Sequence, residues 1–508
     1  MIIRHEVGVP GLRKVLILLF FLAPASLVWL SCGGSVTAGG VKTSGIAYRA
    51  FITNGASAGS GAAGVYIVNA ATDQRGAVAP ISAGNTPGMM VLTPNRTQTL
   101  VFSGSGTQSS DNEFSIINNA NESVGNSKLT LPGLTESFVV SPDSSTAYVA
   151  LPTAPAVGQS PGVVEVVALS SGAVTATISC PPGNPNPAVC VSADPNLQGV
   201  NLPFRDLFIG NTGTRVLAFS QGSGQNFDSV ANVAAVITPS SIATANPVVT
   251  FVPGFDHPIA AFFNSDDTTA YVVNCGAECG GTQASIQTLD LTTNTAGPAV
   301  SVPAASVALV DNSTMYVAGT PYSGGVPSQA CAPAQTTAAT TCGVLTLFDL
   351  TTMSVVQPPV QPPYCMAGQQ CPIIITDGYH NRIALGPNGQ LFIGARTCTE
   401  VVPPIPPPTG AEVRGCLSIY NTLATAVGSV PAGGVVIPPA NGDATGLQPI
   451  AKRGDGMAQD VVYVVQGGSL SIYDTTIDAL EYNPNNSKNP GQIFGLVGQF
   501  IDVKTVDF

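Results

Sequence analysis

Phe138-Val-Val-Ser-Pro-Asp-Ser-Ser-Thr-Ala-Tyr148-Val149-Ala150 alternates apolar and polar residues on both sides of a Pro-Asp turn. That pattern reads as two short strands joined by a hairpin. The phrase continues through Val163-Val-Glu-Val-Val-Ala-Leu-Ser-Ser-Gly172 into Ala173-Val-Thr-Ala-Thr-Ile178, a third and a fourth strand. It recurs at Ile259-Ala-Ala-Phe-Phe-Asn-Ser-Asp-Asp-Thr-Thr-Ala-Tyr271-Val272-Val273, followed by Ala284-Ser-Ile-Gln-Thr-Leu-Asp290-Leu-Thr-Thr-Asn294. Tyr48, Leu100, Tyr148, Leu217, Tyr271, Tyr316, Phe392 and Tyr463 mark eight second strands, spaced by 45 to 76 residues.

A four-strand unit repeating near every fifty residues predicts an all-β fold, a single β-propeller of four-stranded blades. Eight blades are favoured, with seven the alternative if one copy is an inserted hairpin. Tandem immunoglobulin-like sandwiches would repeat at about 100 residues. The repeat region starts on a second strand near Tyr48 and finishes Gln499-Phe-Ile-Asp-Val-Lys-Thr-Val-Asp-Phe508, a strand with no successor. The C-terminal strand is therefore expected to supply the innermost strand of blade one and close the ring, removing free sheet edges. The phrase Ser-Pro-Asp, Ala-Tyr-Val, Val-x-Val-Val, Ser-Gly resembles the YVTN-type, WD40-like propeller repeats of bacterial surface proteins. The resemblance covers nearly all of 44–508 and implies a fold, not an activity.

Composition agrees. Charged residues are 9% of the 508, against roughly a quarter in ordinary soluble domains. There are 55 glycines and 42 prolines, the residues of tight turns. The net charge of −12 and the absence of a Lys/Arg stripe argue against a nucleic-acid partner.

Residues 1–31 read as an export signal: Arg4, Arg13 and Lys14 precede an apolar run from Val15 to Leu30. The run falls short of the roughly 20 apolar residues of a spanning helix. It closes Leu30-Ser31-Cys32-Gly33-Gly34, which resembles the lipobox of bacterial lipoproteins. Trp29 stands where that motif usually has Leu. The resemblance implies cleavage before Cys32, a diacylglyceryl anchor on its thiol, a flexible tether over 32–43, and the propeller over 44–508. The implied location is the extracytoplasmic cell envelope, on the outer membrane if the cell has one.

Ten cysteines remain after Cys32, in close consecutive pairs: Cys180/Cys190, Cys275/Cys279, Cys331/Cys342, Cys365/Cys371 and Cys398/Cys416. An even count in an exported chain predicts five local disulfides. A zinc knuckle at Cys275 and Cys279 would want a two-residue spacing and nearby histidine.

In a four-stranded blade the first-to-second and third-to-fourth turns share one face; the other two connections share the opposite face. The first class reads as short, for example Pro94-Asn95, Pro142-Asp143 and Thr292-Thr293-Asn294. The second reads as long and carries every cysteine pair. Long stapled loops on a rigid scaffold are where binding surfaces are commonly built. Arg205, His257, His380, Arg382, Lys452 and Arg453 all fall near the start of an innermost strand. Five of them, Arg205, His257, His380, Arg382 and Arg453, are the candidate ligand-binding groups around the channel mouth. The competing reading pairs them with neighbouring carboxylates such as Asp206, Asp256, Asp377 and Asp455.

No catalytic residue, metal ligand set or cofactor motif is legible. There is no Cys-x-x-Cys-His and no tryptophan beyond Trp29. The expectation is a monomeric binding or scaffold propeller whose partner, an unknown protein or small molecule, docks on the loop face. The alternative is a metal-assisted lactonase or hydrolase using Asp256, His257, Asp377 and His380.

Overall fold

The computed structural model describes residues 43–507 apart from 56–61, 105–111, 136, 153–161, 180–188, 193–203, 221–231, 243–247, 330–340, 367–370, 400, 403–411, 414, 429, 439–441, 451–459, 481–495 and 497. Eight antiparallel blades form a closed ring, and the strands of each are here lettered A, innermost, to D. Blade one is Phe500–Thr505, Arg49–Asn54, Gly64–Asn69 and Gln74–Arg75, so strand A comes from the chain's other end. Blade two runs from Pro87–Leu92 to Ser123–Thr130, and blade three from Ser137–Val140 to Ala173–Ile178. Blade four runs from Asp206–Ile209 to Val248–Pro253; Val189–Ser192 adds a fifth, parallel strand outside it. Blade five spans Pro258–Phe263 to Thr295–Ser301, and blade six starts at Val307–Asp311. Blade seven spans Tyr379–Leu385 to Val435–Val436, and blade eight Ala444–Ile450 to Ala479–Leu480. Each strand A contacts the strand A of both neighbouring blades, which closes the circle.

The periodic large residue of strand B explains the ring. Leu100, Tyr148, Leu217, Tyr271, Tyr316, Phe392 and Tyr463 each point into the apolar cluster shared with the following blade. One such cluster fills each of the eight interfaces between blades. Burying a large side chain of this kind contributes about 1.5–3 kcal/mol. The sequence reading placed blade one's anchor at Tyr48. Tyr48 instead precedes the strand, and Phe51, the third residue of Arg49–Asn54, fills the interface with blade two.

The C–D turn is equally regular. Strand C ends at Asn69, Asn118, Ala168, Asp290, Asp349 or Asp474, and four residues later the backbone has positive φ at Asp73, Glu122, Gly172, Asn294, Met353 and Asp478. The carboxylates hold this turn: Asp290 Oδ1 accepts from Thr292 N (2.8 Å) and Thr293 N (3.1 Å), and Asp474 Oδ1 accepts from Thr476 N (2.7 Å). Short side chains that accept from the amides two and three residues on favour this conformation.

Turn lengths do not segregate as fully as the sequence suggested. In blade eight the B–C connection is the two-residue turn Gly467-Gly468, while the A–B connection runs from 451 to 460. The C–D connections of blades four and seven, 238–247 and 422–434, are also long. Blades five to seven keep the expected order, with short A–B turns and longer B–C loops.

Candidate functional site

The B–C loops of blades five, six and seven sit side by side on one face and are fastened by two kinds of link. The first is covalent. Cys275–Cys279 closes a 3-10 turn in blade five, and Cys398–Cys416 closes the loop of blade seven. Cys342, at the end of the blade six loop, is also disulfide-bonded, and Cys331 lies outside the described residues. Cys365–Cys371 forms as expected but not simply between blades. Strand D of blade six is split into Ser354–Val356 and Ile373–Ile375, both paired with Gly343–Asp349, and the disulfide staples the excursion between the halves. Cys180 lies outside the described residues, as does the side chain of Cys190.

The second link is a chain of acidic acceptors. Asp256, just before strand A of blade five, accepts Thr282 Oγ1 (2.6 Å), Thr282 N (2.9 Å) and Gln283 N (2.8 Å) from its own B–C loop. Asp377, before blade seven, accepts Thr399 N and Oγ1, both at 2.6 Å. Thr397 N donates to Asp443, before blade eight, at 2.8 Å. Glu278, inside the Cys275–Cys279 turn, accepts Thr320 N of blade six at 3.0 Å, and Thr320 Oγ1 donates to Gly378 O at 2.8 Å. A Cβ on Gly319 would stand 2.7 Å from Glu278 Oε2, so glycine there lets the carboxyl lie flat against blade six. The three loops are thus bonded into one platform.

The electrostatics follow from this. Burial alone would raise the Asp256 pKa, but the donors from Thr282, Gln283 and His257 outweigh it and hold the carboxyl below its ordinary value. Burial dominates at Glu278 and pushes it up to about 8, against weaker opposing bonds from Thr320 and Ser306. Tyr322, in the blade six loop, is raised by burial and then by the charges of Glu278 and Asp377. Asp256 and Asp377 stood out in the sequence only as carboxylate partners or metal ligands for the basic groups and histidines, and Glu278 and Asp443 did not stand out; for Glu278 a carboxylate enclosed by two cysteines was the available signal.

The candidate ligand groups divide. His257 lies at the start of strand A of blade five with φ 59°, and its Nδ1 is 2.9 Å from Asp256 Oδ1. Arg205 is half-buried before strand A of blade four, and its N–H donates to Phe219 O at 2.7 Å. Arg382 projects between blades, its Nε donating to Thr445 O of blade eight at 2.7 Å. Strand A is bulged at this end in blades one, two, five, seven and eight. Thr445 is the bulged residue of blade eight, so Arg382 satisfies a carbonyl that the ladder leaves out. His380, expected as a candidate ligand-binding group at the channel mouth, is enclosed instead. It is 0% exposed, its Nε2 is 3.0 Å from Thr376 O, and burial lowers its pKa to about 4. Its ring packs against Gly343 of blade six and cannot meet a ligand at the channel. Arg453 lies outside the described residues. It is three positions beyond Ile450, the last residue of strand A of blade eight.

The lactonase reading needs Asp256, His257, Asp377 and His380 as one ligand set. They belong to blades five and seven, the two carboxylates are taken up by loop donors, and His380 is enclosed. Among the described residues no group of three or more His, Cys, Asp and Glu is placed to share a metal ion.

No protein-family model matches the chain, and no curated protein matches it in sequence. Solved structures match by fold. The dihydro-heme d1 dehydrogenase NirN in complex with DHE aligns at 9% identity and a TM-score of 0.53, over 91% of this chain and 76% of its own. The hydrazine synthase of Kuenenia stuttgartiensis aligns at 13% identity and a TM-score of 0.46, over 79% of this chain and 99% of its own. The blade topology, with the NirN alignment beside it, defines the class as an eight-bladed β-propeller protein, and at 9% identity that likeness extends to the fold alone.

Proposed function

We propose that the chain is a lipid-anchored, extracytoplasmic propeller that works as a binding module, with the B–C loops of blades five to seven as its contact surface. The single observation carrying this is the platform itself. Three adjacent loops, two of them closed by their own disulfides, are bonded to one another through Glu278, Thr320, Gly378, Asp377 and Thr399. A ring needs only short turns to hold together, and loops ordered in advance lose less freedom on binding. The disulfides favour an oxidising compartment, in keeping with an export signal at 1–31 and lipidation at Cys32.

Val326, at the tip of the small blade six hairpin Tyr322–Ser323/Val326–Pro327, is 61% exposed and offers an apolar contact at the platform's centre. A photo-crosslinking side chain at Val326, in the full chain expressed in its own cell, should yield a discrete adduct. The same group at Thr351, on the turn face, should not. Adducts from Thr351 alone would overturn the assignment of the face. Palmitate labelling lost in Cys32→Ser tests the anchor.

A further inference from the structure

Where the tether leaves the propeller decides how the molecule stands on its membrane. Thr43 and Ser44 are bonded to the C–D turn of blade two. Thr43 Oγ1 donates to Glu122 Oε2 at 2.7 Å, and Ser44 N and Oγ donate to the two Glu122 oxygens, each at 2.6 Å. Glu122 in turn accepts from the buried Arg49 guanidinium at 2.9 Å, so this attachment is fixed to the frame of blades one and two. The C–D turns belong to the face opposite the disulfide platform.

Resting on the lipid-anchor reading above, we infer that the propeller stands with its turn face toward the bilayer and presents the B–C platform away from it, to a partner held off the anchoring membrane. Ten residues separate Cys32 from Thr43, and at full stretch the connection reaches no more than about 40 Å. A six-residue strand is about 20 Å tall, before loops are added at either end. With the turn face down, any path of the tether suffices. The inverted pose needs the tether nearly straight along the outside of a blade.

Charge keeps the turn face from lying flat. Asp143, Asp266, Asp290, Asp349 and Asp474 stand on A–B and C–D turns, and the first four are held below the ordinary carboxylate range by hydrogen bonds from Ser and Thr of the same turn. An ionised acidic face is repelled by anionic headgroups, so attachment falls to the tether alone.

The only tryptophan is Trp29, ahead of Cys32, so the processed chain has none. An introduced tryptophan then reports alone. Thr351→Trp and Val326→Trp put it at the two ends of blade six. Each lipidated full chain is incorporated into vesicles whose headgroups carry an energy acceptor. Flotation with the vesicles, absent in Cys32→Ser, checks the anchor first. Transfer should be several-fold stronger from position 351 than from 326. Flotation with equal or reversed transfer overturns the orientation and leaves the anchor standing. Failure to float overturns the anchor and the orientation with it.

Discussion

Arg49 and Asp507 lie 458 positions apart and meet in a two-pronged ion pair, Nε to Oδ2 at 2.8 Å and Nη2 to Oδ1 at 2.7 Å. The Arg49 amide also donates to Asp507 Oδ2 at 2.9 Å, and Nη1 reaches Asn119 O at 2.5 Å and Glu122 Oε1 at 2.9 Å. Arg49 is 2% exposed. One side chain therefore ties together the first described strand of the ring, the last, and the turn of blade two.

Removing one partner of a buried pair leaves an uncompensated charge and costs about 3–5 kcal/mol. Arg49→Met should lower denaturant stability by that order, and should speed hydrogen exchange first in Phe500–Thr505. Unchanged exchange there would show that the pair does not hold the closure.

Acid should open the same joint. Burial would raise the Glu122 pKa, but bonds from Ser44, Thr43 and Arg49 pull it below the ordinary value of 4.5. A depressed pKa contributes stability that is present above the unfolded value and is lost as pH falls through the folded one. A melting-temperature series from pH 6 to pH 3 should fall steeply below about pH 4.5. Glu122→Gln should start lower and fall less.

Glu278 has the opposite sign. Its folded pKa of about 8 lies above the unfolded value. Its contribution is complete below about pH 4.5 and is lost as pH rises toward 8. Glu278→Gln mimics the protonated form, so its melting temperature should gain on the parent between pH 5 and pH 9. A constant difference would mean that Glu278 is ionised in the fold.

The disulfides should differ in weight. Cys398–Cys416 closes 18 residues and Cys275–Cys279 four. Loop-closure entropy assigns them about 3 and about 2 kcal/mol. Denaturation of Cys398→Ser/Cys416→Ser and Cys275→Ser/Cys279→Ser should rank in that order. Non-reduced peptide mapping should recover the 275–279, 365–371 and 398–416 pairs.

His380→Ala should destabilise well beyond the 0.5 kcal/mol typical of exposed sites, since it opens a void between blades six and seven. A neutral result would contradict its enclosure.

The repeat was legible because each blade must bury the same face in the same way. A large residue at the third position of strand B and an Asp or Asn closing strand C recur for a packing reason and a turn reason, and both leave marks in sequence. Blade one escaped that reading at Tyr48 because its anchor, Phe51, follows Arg49, a closure residue with no counterpart in other blades. The site was less legible. His380 and Arg382 are two residues apart on one strand, but the bulge between them sends one ring inward against Gly343 and the other side chain across to Thr445. A local break in alternation of that kind has no periodic signature. The links from Glu278 to Thr320 and from Asp377 to Thr399 join residues 42 and 22 positions apart, and single short polar residues do not announce such partners.

Hydrogen exchange with and without the crosslinked partner tests most directly whether one face of the ring does the binding. New protection is expected at 276–283, 320–328 and 397–399, in the three linked loops, with the A–B and C–D turns of the same blades unchanged. Protection confined to the turns at 264–268, 292–294 and 351–353 would contradict it.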